Sequence, residues 1–463
     1  MTASPWAELL RPPHLAPLAM LSLGIGLYAF NTFLVATALP STVLEIGGVA
    51  LIAWASTLFL VSAIVAGAGG ATLKARLGAR NALMLGGATF LAGTLACGLA
   101  PAMPALLLGR ALQGAGEGCV AAISYALIPA LFPARLVPKV FAVEALVWAL
   151  AGLAGPVVAG VLTEALSWRA AFLVNAPLSL LFLGLVLATV PRALADSSTP
   201  APLARLAALA AGILLIAASS LAGHKGGAAG LVAAGAAVLA TLVVRDARTE
   251  VPLFPRHAFH PGTALGAGLL VVLLMPVAHS FGTIHLTLSL QLGWGFTPTL
   301  AGAFFALGPL AWSGAMFLVA NLRHPSVPAL GIRLGPPALL LGLAGQLAAT
   351  AAGAPWAMLP FLLAIGASFG IGWAFVSIAV MNAAEPADRD RAAGLVPTVQ
   401  SAGYAIGAAL TGLAASVAGL DGHDPAGLPP AFALVTACGL VPAALASWIA
   451  LRRRNWPTQA QSR

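Results

Sequence analysis

Residues 104–131 read PALLLGRALQGAGEGCVAAISYALIPAL, and this stretch decides the fold. It is apolar for longer than the roughly twenty residues a helix needs to cross a hydrocarbon core about 30 Å thick. Two formal charges, Arg110 and Glu117, stand inside it. Arg110, Gln113, Gly114, Glu117 and Ser124 fall at offsets 0, 3, 4, 7 and 14, which places them on one helical face.

The pattern repeats on both sides. Apolar segments lie near residues 17–40, 49–70, 82–100, 104–131, 138–164 and 169–190, two shorter ones at 203–222 and 226–244, and six more at 263–292, 298–320, 331–352, 355–380, 391–418 and 430–451. Composition agrees, since 60% of the 463 residues are hydrophobic and only 8% are charged. A soluble domain carries roughly 25% charged residues, so a water-soluble globule is excluded. A β-barrel would need alternating segments of about ten residues, and the sequence has none. The expectation is an all-α polytopic membrane protein with fourteen transmembrane helices.

Basic residues test that count, because Lys and Arg near span ends concentrate on the cytoplasmic side. With the N-terminus inside, 19 of the 22 fall on cytoplasmic ends; Arg169 and Lys225 fall outside, and Arg110 lies within a span. Both termini are therefore expected in the cytoplasm. The net charge of +9 is dispersed over short connections, so anionic lipid headgroups are the expected contact and nucleic acid is not. Met1 to Arg11 lacks the basic region and cleavage site of a signal peptide, so the first segment is expected to be retained. Cys97, Cys119 and Cys438 sit in apolar segments without C-x-x-C spacing, which supports neither a disulfide framework nor a metal site, and no cofactor is expected.

The organisation reads as six, two and six. Residues 1–191 form an N-terminal six-helix bundle, 192–261 hold two linker helices and their loops, and 262–463 form a C-terminal six-helix bundle with a basic tail. Pro200 to Pro202 and the charged run Arg245 to Arg256 bound the linker pair. The fifth helices of the two halves share a glycine pattern, Gly152, Gly155, Pro156 and Gly160 in one and Gly403, Gly407 and Gly412 in the other. Small residues so spaced let helices approach closely, and paired halves with glycine-broken helices characterise secondary transporters.

Several motifs then resemble a known family. Leu106-Leu-Leu-Gly-Arg110-Ala-Leu-Gln113-Gly114-Ala-Gly116 is similar to the fourth-helix motif of the major facilitator superfamily. Gly152-Leu-Ala-Gly155-Pro156-Val-Val-Ala-Gly160 resembles its fifth-helix antiporter motif. Trp168-Arg169-Ala-Ala-Phe172-Leu-Val-Asn175-Ala-Pro177 and the second-half run Gln291-Leu-Gly-Trp-Gly resemble the fourteen-helix drug/proton antiporters within it. The resemblance implies a major facilitator fold in a bacterial inner membrane and proton-driven export of amphipathic organic compounds by a monomer. Two departures stand out. The loop after the second helix has Ala75 and Ala79 where the family pattern has Asp and Arg, and the first helix has Asn31 where the pattern has Asp and Ala36 where it has Asn.

If an acid at the position of Asn31 carries protons in relatives, another group must do so here. Arg110, Glu117 and Glu144 are the formally charged residues well inside spans. A charge in hydrocarbon costs a few kcal/mol even on lenient scales, so each is a functional candidate. Burial disfavours a charged carboxylate and a nearby guanidinium favours it, so water entry or a bound cation can switch protonation. The bland reading is a fixed ion pair or, for Glu144, a side chain that snorkels. Glu144 and Trp148 share a face of the fifth helix with Ala151 and Gly155. Asn31, Gln113, Trp148, His279, His285, Gln291 and Tyr404 are the expected lining of a central substrate cavity; the two histidines, six residues apart, lie on different helix faces and do not suit a shared metal. A dedicated exporter of one metabolite and an uncoupled carrier are the alternatives. Gly366-Ala-Ser368-Phe-Gly370 also matches the nucleophile elbow G-x-S-x-G, which keeps an intramembrane serine hydrolase as a remote alternative.

Overall fold

The computed structural model describes residues 8–9, 11–133, 135–191, 203–222, 224–246, 248–249, 254, 258–322, 324–385, 389–420, 425–453 and 455–457. The Pro200 to Pro202 boundary, Arg256 and Arg323 lie outside the described residues. Among those residues the regular structure is helical.

Six long helices open the chain: α1 (Pro12–Ile46), α2 (Val49–Gly70), α3 (Thr72–Gly98), α4 (Met103–Leu131), α5 (Val137–Ala165) and α6 (Trp168–Thr189). The pair α7 (Leu203–Leu221) and α8 (Lys225–Asp246) follows. Then come α9 (Ala264–Thr283), α10 (Pro298–Ala320), α11 (Val327–Ala351), α12 (Leu359–Ala383), α13 (Arg389–Val417) and α14 (Leu428–Arg452). Among the described residues, 13 helices are long and apolar enough to cross a membrane. The remaining one, α13, is 29 residues long but opens on Arg389, Asp390 and Arg391 and carries Thr398, Gln400, Ser401 and Tyr404.

Two local features depart from regular spans. Where a loop was expected after the second helix, α2 and α3 belong to one helical run, Ile52–Gly98, interrupted at Gly78 with φ 77° and ψ 157°. That left-handed backbone is open to glycine at no steric cost. The apolar stretch 263–292 is one span, Ala264–Gly293, but its α-geometry is interrupted between Thr283 and Leu286 and it ends in a π-helical turn, Ser289–Gly293, which holds Gln291.

Contacts group the chain into two units. Unit 1 comprises Met1–Gly47 and Leu58–Ala207; unit 2 comprises Gly48–Thr57 and Ala208–Arg463. Within unit 1, α1 packs against α4, α5 and α6. Within unit 2, α9 packs against α12, α13 and α14, the corresponding helices of its own half. The short segment 48–57 is tied into unit 2 by Trp54, whose Nε1 donates to Ser220 Oγ at 3.1 Å.

Glycines set the closest approaches. A Cβ on Gly114 or Gly118 of α4 would collide with the backbone carbonyls of Phe59 and Ala63 on α2. A Cβ on Gly109 or Gly116 would meet the Gly93 and Gly86 carbonyls of α3, at 2.9 and 2.6 Å. In unit 2, Gly366 and Gly370 of α12 press in the same manner on the Gly308 and Trp312 carbonyls of α10. A Cβ on Gly403 of α13 would stand 2.5 Å from the Leu273 carbonyl of α9, and one on Gly407 would stand 2.6 Å from Ser280 Oγ. Dispersion between close backbones, rather than exclusion of water, holds helices together in lipid, which explains why glycine occupies these seams.

Candidate functional site

The polar residues of α4 meet α1, α2, α3 and α6 in a buried network. Arg110 is 3% exposed and Gln113, Asn31, Thr94 and Asn175 are fully buried. Arg110 Nη1 donates to Gln113 Oε1 at 2.7 Å, so the charged group is received by a neutral amide one turn away. Gln113 Nε2 then donates to Thr94 Oγ1 at 3.1 Å and to Asn31 Oδ1 at 3.4 Å. Asn175 Nδ2 approaches the same Asn31 oxygen at 3.5 Å, the outer limit of a hydrogen bond. The Arg110 guanidinium also covers the Phe59 ring, 4.2 Å from its centroid, a cation–π contact that is stronger where water is excluded.

Glu117 lies two turns further along the same face of α4 and is 1% exposed. Seven residues correspond to about 10 Å of rise from Arg110. Glu117 Oε2 finds no hydrogen-bond partner among the described residues. The second carboxylate is also buried: Ser22 Oγ on α1 donates to Glu144 Oε1 at 2.9 Å, while Glu144 Oε2 has no partner among the described residues. One turn along α5, Trp148 packs edge-on to Tyr28 and Phe33 of α1, at 5.6 and 6.4 Å between centroids. Glu144 and Trp148 thus face the same helix, as their spacing implies, and that helix is α1.

The antiporter-motif residues Gly152, Gly155, Pro156 and Gly160 are buried. A Cβ on Gly155 would stand 3.1 Å from Phe33 Cβ and 3.3 Å from the Phe30 carbonyl, so the motif seats α5 on α1 within unit 1.

Unit 2 gathers its singled-out residues differently. His279 on α9 lies edge-on to Phe369 of α12 and to Tyr404 of α13, at 5.4 and 5.7 Å. Phe369 continues into a stack with Trp312 at 5.0 Å and approaches Trp373 at 6.0 Å. Thr283 Oγ1 lies 3.3 Å from His279 Nδ1. His285 is buried beyond the end of α9, and its Nδ1 has no hydrogen-bond partner among the described residues. Gln291, 8% exposed, sits in the π-helical turn. Sequence reasoning did not single out Ser22, Tyr28, Phe59, Thr94, Trp312 or Trp373. The four-residue steps Phe369–Trp373 and Gly366–Gly370 were available as helix-face signals, whereas the partners on other helices had none.

Ser368 does not form a nucleophile elbow. It lies within α12, fully buried, and donates to the Ile365 carbonyl at 2.6 Å, while its flanking glycines provide contacts to α10. A nucleophile elbow needs a strand-to-helix turn, and this residue is inside a continuous helix.

A second polar cluster ties the start of the described chain to the α4–α5 connection. Arg135 donates to Glu8 through both Nε and Nη2, with the Nε contact at 3.3 Å. This hydrogen-bonded pairing holds the Glu8 carboxyl below its usual range. Nearby, His14 packs on Phe132 at 5.8 Å. At the other end of α1, Glu45 accepts from Arg169 and, at 2.7 Å, from Trp168 Nε1.

Comparison with known proteins gives a consistent picture. The family model of the Major Facilitator Superfamily matches residues 21–408. A probable multidrug-efflux transporter of Mycobacterium tuberculosis is 32% identical over 456 residues, covering 94% of this chain and 95% of the relative. A probable actinorhodin transporter of Streptomyces coelicolor is 26% identical over 410 residues, covering 81% and 68%. Among solved structures, a peptide transporter in complex with alafosfalin superposes with a TM-score of 0.66 at 18% identity, covering 94% of each chain.

Proposed function

Because this chain belongs to the major facilitator superfamily, and is therefore a membrane transporter rather than an enzyme, we propose that it is a proton-coupled exporter of amphipathic organic compounds working by alternating access. Similarity to a probable multidrug-efflux transporter over nearly the full length of both chains supports the export reading. In it, residues 1–191 and 262–463 act as the two bundles and 192–261 as the linker pair, with both termini on the cytoplasmic side of a bacterial inner membrane.

The observation that carries the coupling is Glu117, a carboxylate buried on α4 with one oxygen unpartnered among the described residues. A group so costly to keep ionised in hydrocarbon is retained where its charge is used. With its proton on, the carboxyl is neutral and needs no counter-charge. With the proton off, the anion requires Arg110 or a cationic end of the substrate. Exchange of one occupant for the other links substrate movement to proton movement. Glu144, held by Ser22, is the second-ranked carrier. The aromatic group around Phe369 and His279 suits flat, amphipathic substrates. A dedicated metabolite exporter is the second reading, favoured by the similarity to a probable actinorhodin transporter.

Glu117→Gln tests the assignment, since the amide keeps the size and hydrogen bonding of a protonated carboxyl. In proteoliposomes with ethidium as probe, counterflow exchange is expected to persist while uphill export driven by an imposed pH gradient fails. Glu144→Gln is the comparison. Uphill accumulation at the wild-type rate in Glu117→Gln would make Glu117 structural.

A further inference from the structure

We infer that one face of α14 is a binding site for a single anionic phospholipid, its phosphate received by Arg452 and Arg453 and an acyl chain laid along the helix toward Cys438. Two separate features of unit 2 meet there. The first is a cavity of about 520 Å³ where α14 ends beside the start of α9, lined by Gly262, Trp448, Arg452, Arg453 and Asn455. Arg453 is pre-set in it: Nε donates to the Asn455 carbonyl at 3.2 Å and Nη1 to the Gly262 carbonyl at 3.3 Å. Arg452 lies 4.9 Å above the Trp448 ring and donates to no acceptor among the described residues. Its N–H groups are therefore available to anionic oxygens, which arginine receives with its planar fork.

The second feature is an apolar groove of about 340 Å³ between α9, α13 and α14, lined by Leu273, Val277, Leu410, Cys438, Val441 and Leu445 among others. On α14 the groove and the basic cavity share one helical face, because positions 438, 441, 445, 448 and 452 advance by three or four. From Val441 to Arg452 the helix rises about 16 Å, close to half of a hydrocarbon core roughly 30 Å thick. The groove therefore matches one leaflet, with charge at the headgroup end and tail-binding surface below it. Val441 and Trp448 are 64% and 53% exposed, so the face is presented to lipid rather than to another helix of this chain. Tryptophan beside the charges fits the headgroup level, where its amphipathic ring is preferred, and basic pockets between membrane helices select anionic headgroups. A free phosphate would satisfy the arginines alone; the groove argues for the lipid.

The purified full-length protein in neutral detergent provides the test, titrated with phosphatidylglycerol or phosphatidylcholine bearing the same brominated chains, with tryptophan fluorescence as readout. Brominated phosphatidylglycerol should quench a component that is missing in Trp448→Phe, with phosphatidylcholine at least about ten-fold weaker. Arg452→Gln should weaken that quenching on the order of five-fold, and the double change with Arg453→Gln should weaken it by a similar factor again. Millimolar inorganic phosphate should not displace the lipid. Equal quenching by both lipids would reduce the face to ordinary lipid annulus. Displacement by inorganic phosphate would make it a free-anion site, and quenching indifferent to Trp448 would remove the site altogether.

Discussion

The fourth helix of each half packs alike and is furnished in opposite ways. On α4, Gly114 and Gly118 press against the backbone of α2; on α12, Gly366 and Gly370 press against the backbone of α10. Aligned on those glycines, the positions of Arg110, Gln113 and Glu117 correspond to Leu362, Ile365 and Phe369. One half thus carries charge and amide groups where the other carries aliphatic side chains and the centre of an aromatic cluster. The contrast separates what holds a membrane helix in place from what gives it chemistry. Close backbone contact uses glycine on both helices, whereas on the aligned face ionisable groups occur on α4 and not on α12; the proposed function assigns proton handling to the first and ring recognition to the second.

The most severe way to break the comparison is to fill the glycine seams. Gly118→Leu and Gly370→Leu should each cost more than the roughly 1–3 kcal/mol typical of overpacking, because the obstacle is a backbone carbonyl that cannot rotate aside. Size-exclusion profiles after heating should show loss of folded protein for both. Gly155→Ala should lie near wild type, since its nearest neighbours, at 3.1 to 3.5 Å, need to shift only a few tenths of an ångström. Wild-type behaviour of Gly118→Leu would end the structural equivalence of α4 and α12.

A subtler exchange gives α4 the residue of its counterpart. Arg110→Leu removes a hydrogen bond from a charged donor, worth roughly 1.5–3 kcal/mol, but also relieves the cost of a charge in hydrocarbon, so the two offset. Thermal stability should move little while proton-driven transport falls at least about ten-fold, equivalent to roughly 1.4 kcal/mol of barrier. Unchanged transport would mean that the charged character of the first half is packing, not function.

The smallest effect belongs to the Glu8–Arg135 pair at the exposed end of unit 1, for which unit 2 offers no counterpart among the described residues. Because the folded Glu8 carboxyl is held below its ordinary value by Arg135, its contribution is complete above the unfolded carboxylate pKa, roughly 4, and disappears as pH falls through the folded value. Glu8→Gln should therefore lower the melting temperature slightly at neutral pH and not at all in strong acid. An equal loss at both would show that packing of the segment, not its charge, is what counts.

Much of this architecture was legible because a helix in lipid announces itself by length and apolarity, and face-sharing follows from spacing. That was enough to place Arg110, Gln113 and Glu117 together and to pair Glu144 with Trp148 on one side of α5. It was not enough to name what lies across from a face. Gln113 meets Asn31, 82 residues away, and Glu144 meets Ser22, 122 residues away; no local pattern encodes either distance. The resemblance supplied Asn31 as a departure from an acidic position, but only the packing shows it accepting from Gln113 and Asn175. The aromatic group was seen only in part for the same reason: His279 and Tyr404 were singled out, but not the rings around them, since these come from four helices, α9, α10, α12 and α13. The expected loop near Ala75 was misjudged because charges and glycine mark a boundary without saying how many residues it takes.

Within the run Ile52–Gly98 the break takes one residue, Gly78 near the start of α3, and a connection without slack couples length to phase. An insertion in an ordinary loop is absorbed by the loop. Here, an added or deleted residue beside Gly78 is passed into the rest of α3 as a rotation of roughly 100°. Gly86 and Gly93 would swing away from Gly116 and Gly109, and bulkier neighbours would take their place against α4. The segment is therefore permissive in composition, tolerating Ala75 and Ala79 where charges stand in the family pattern, yet it works as a fixed gear between two shafts whose number of teeth cannot change.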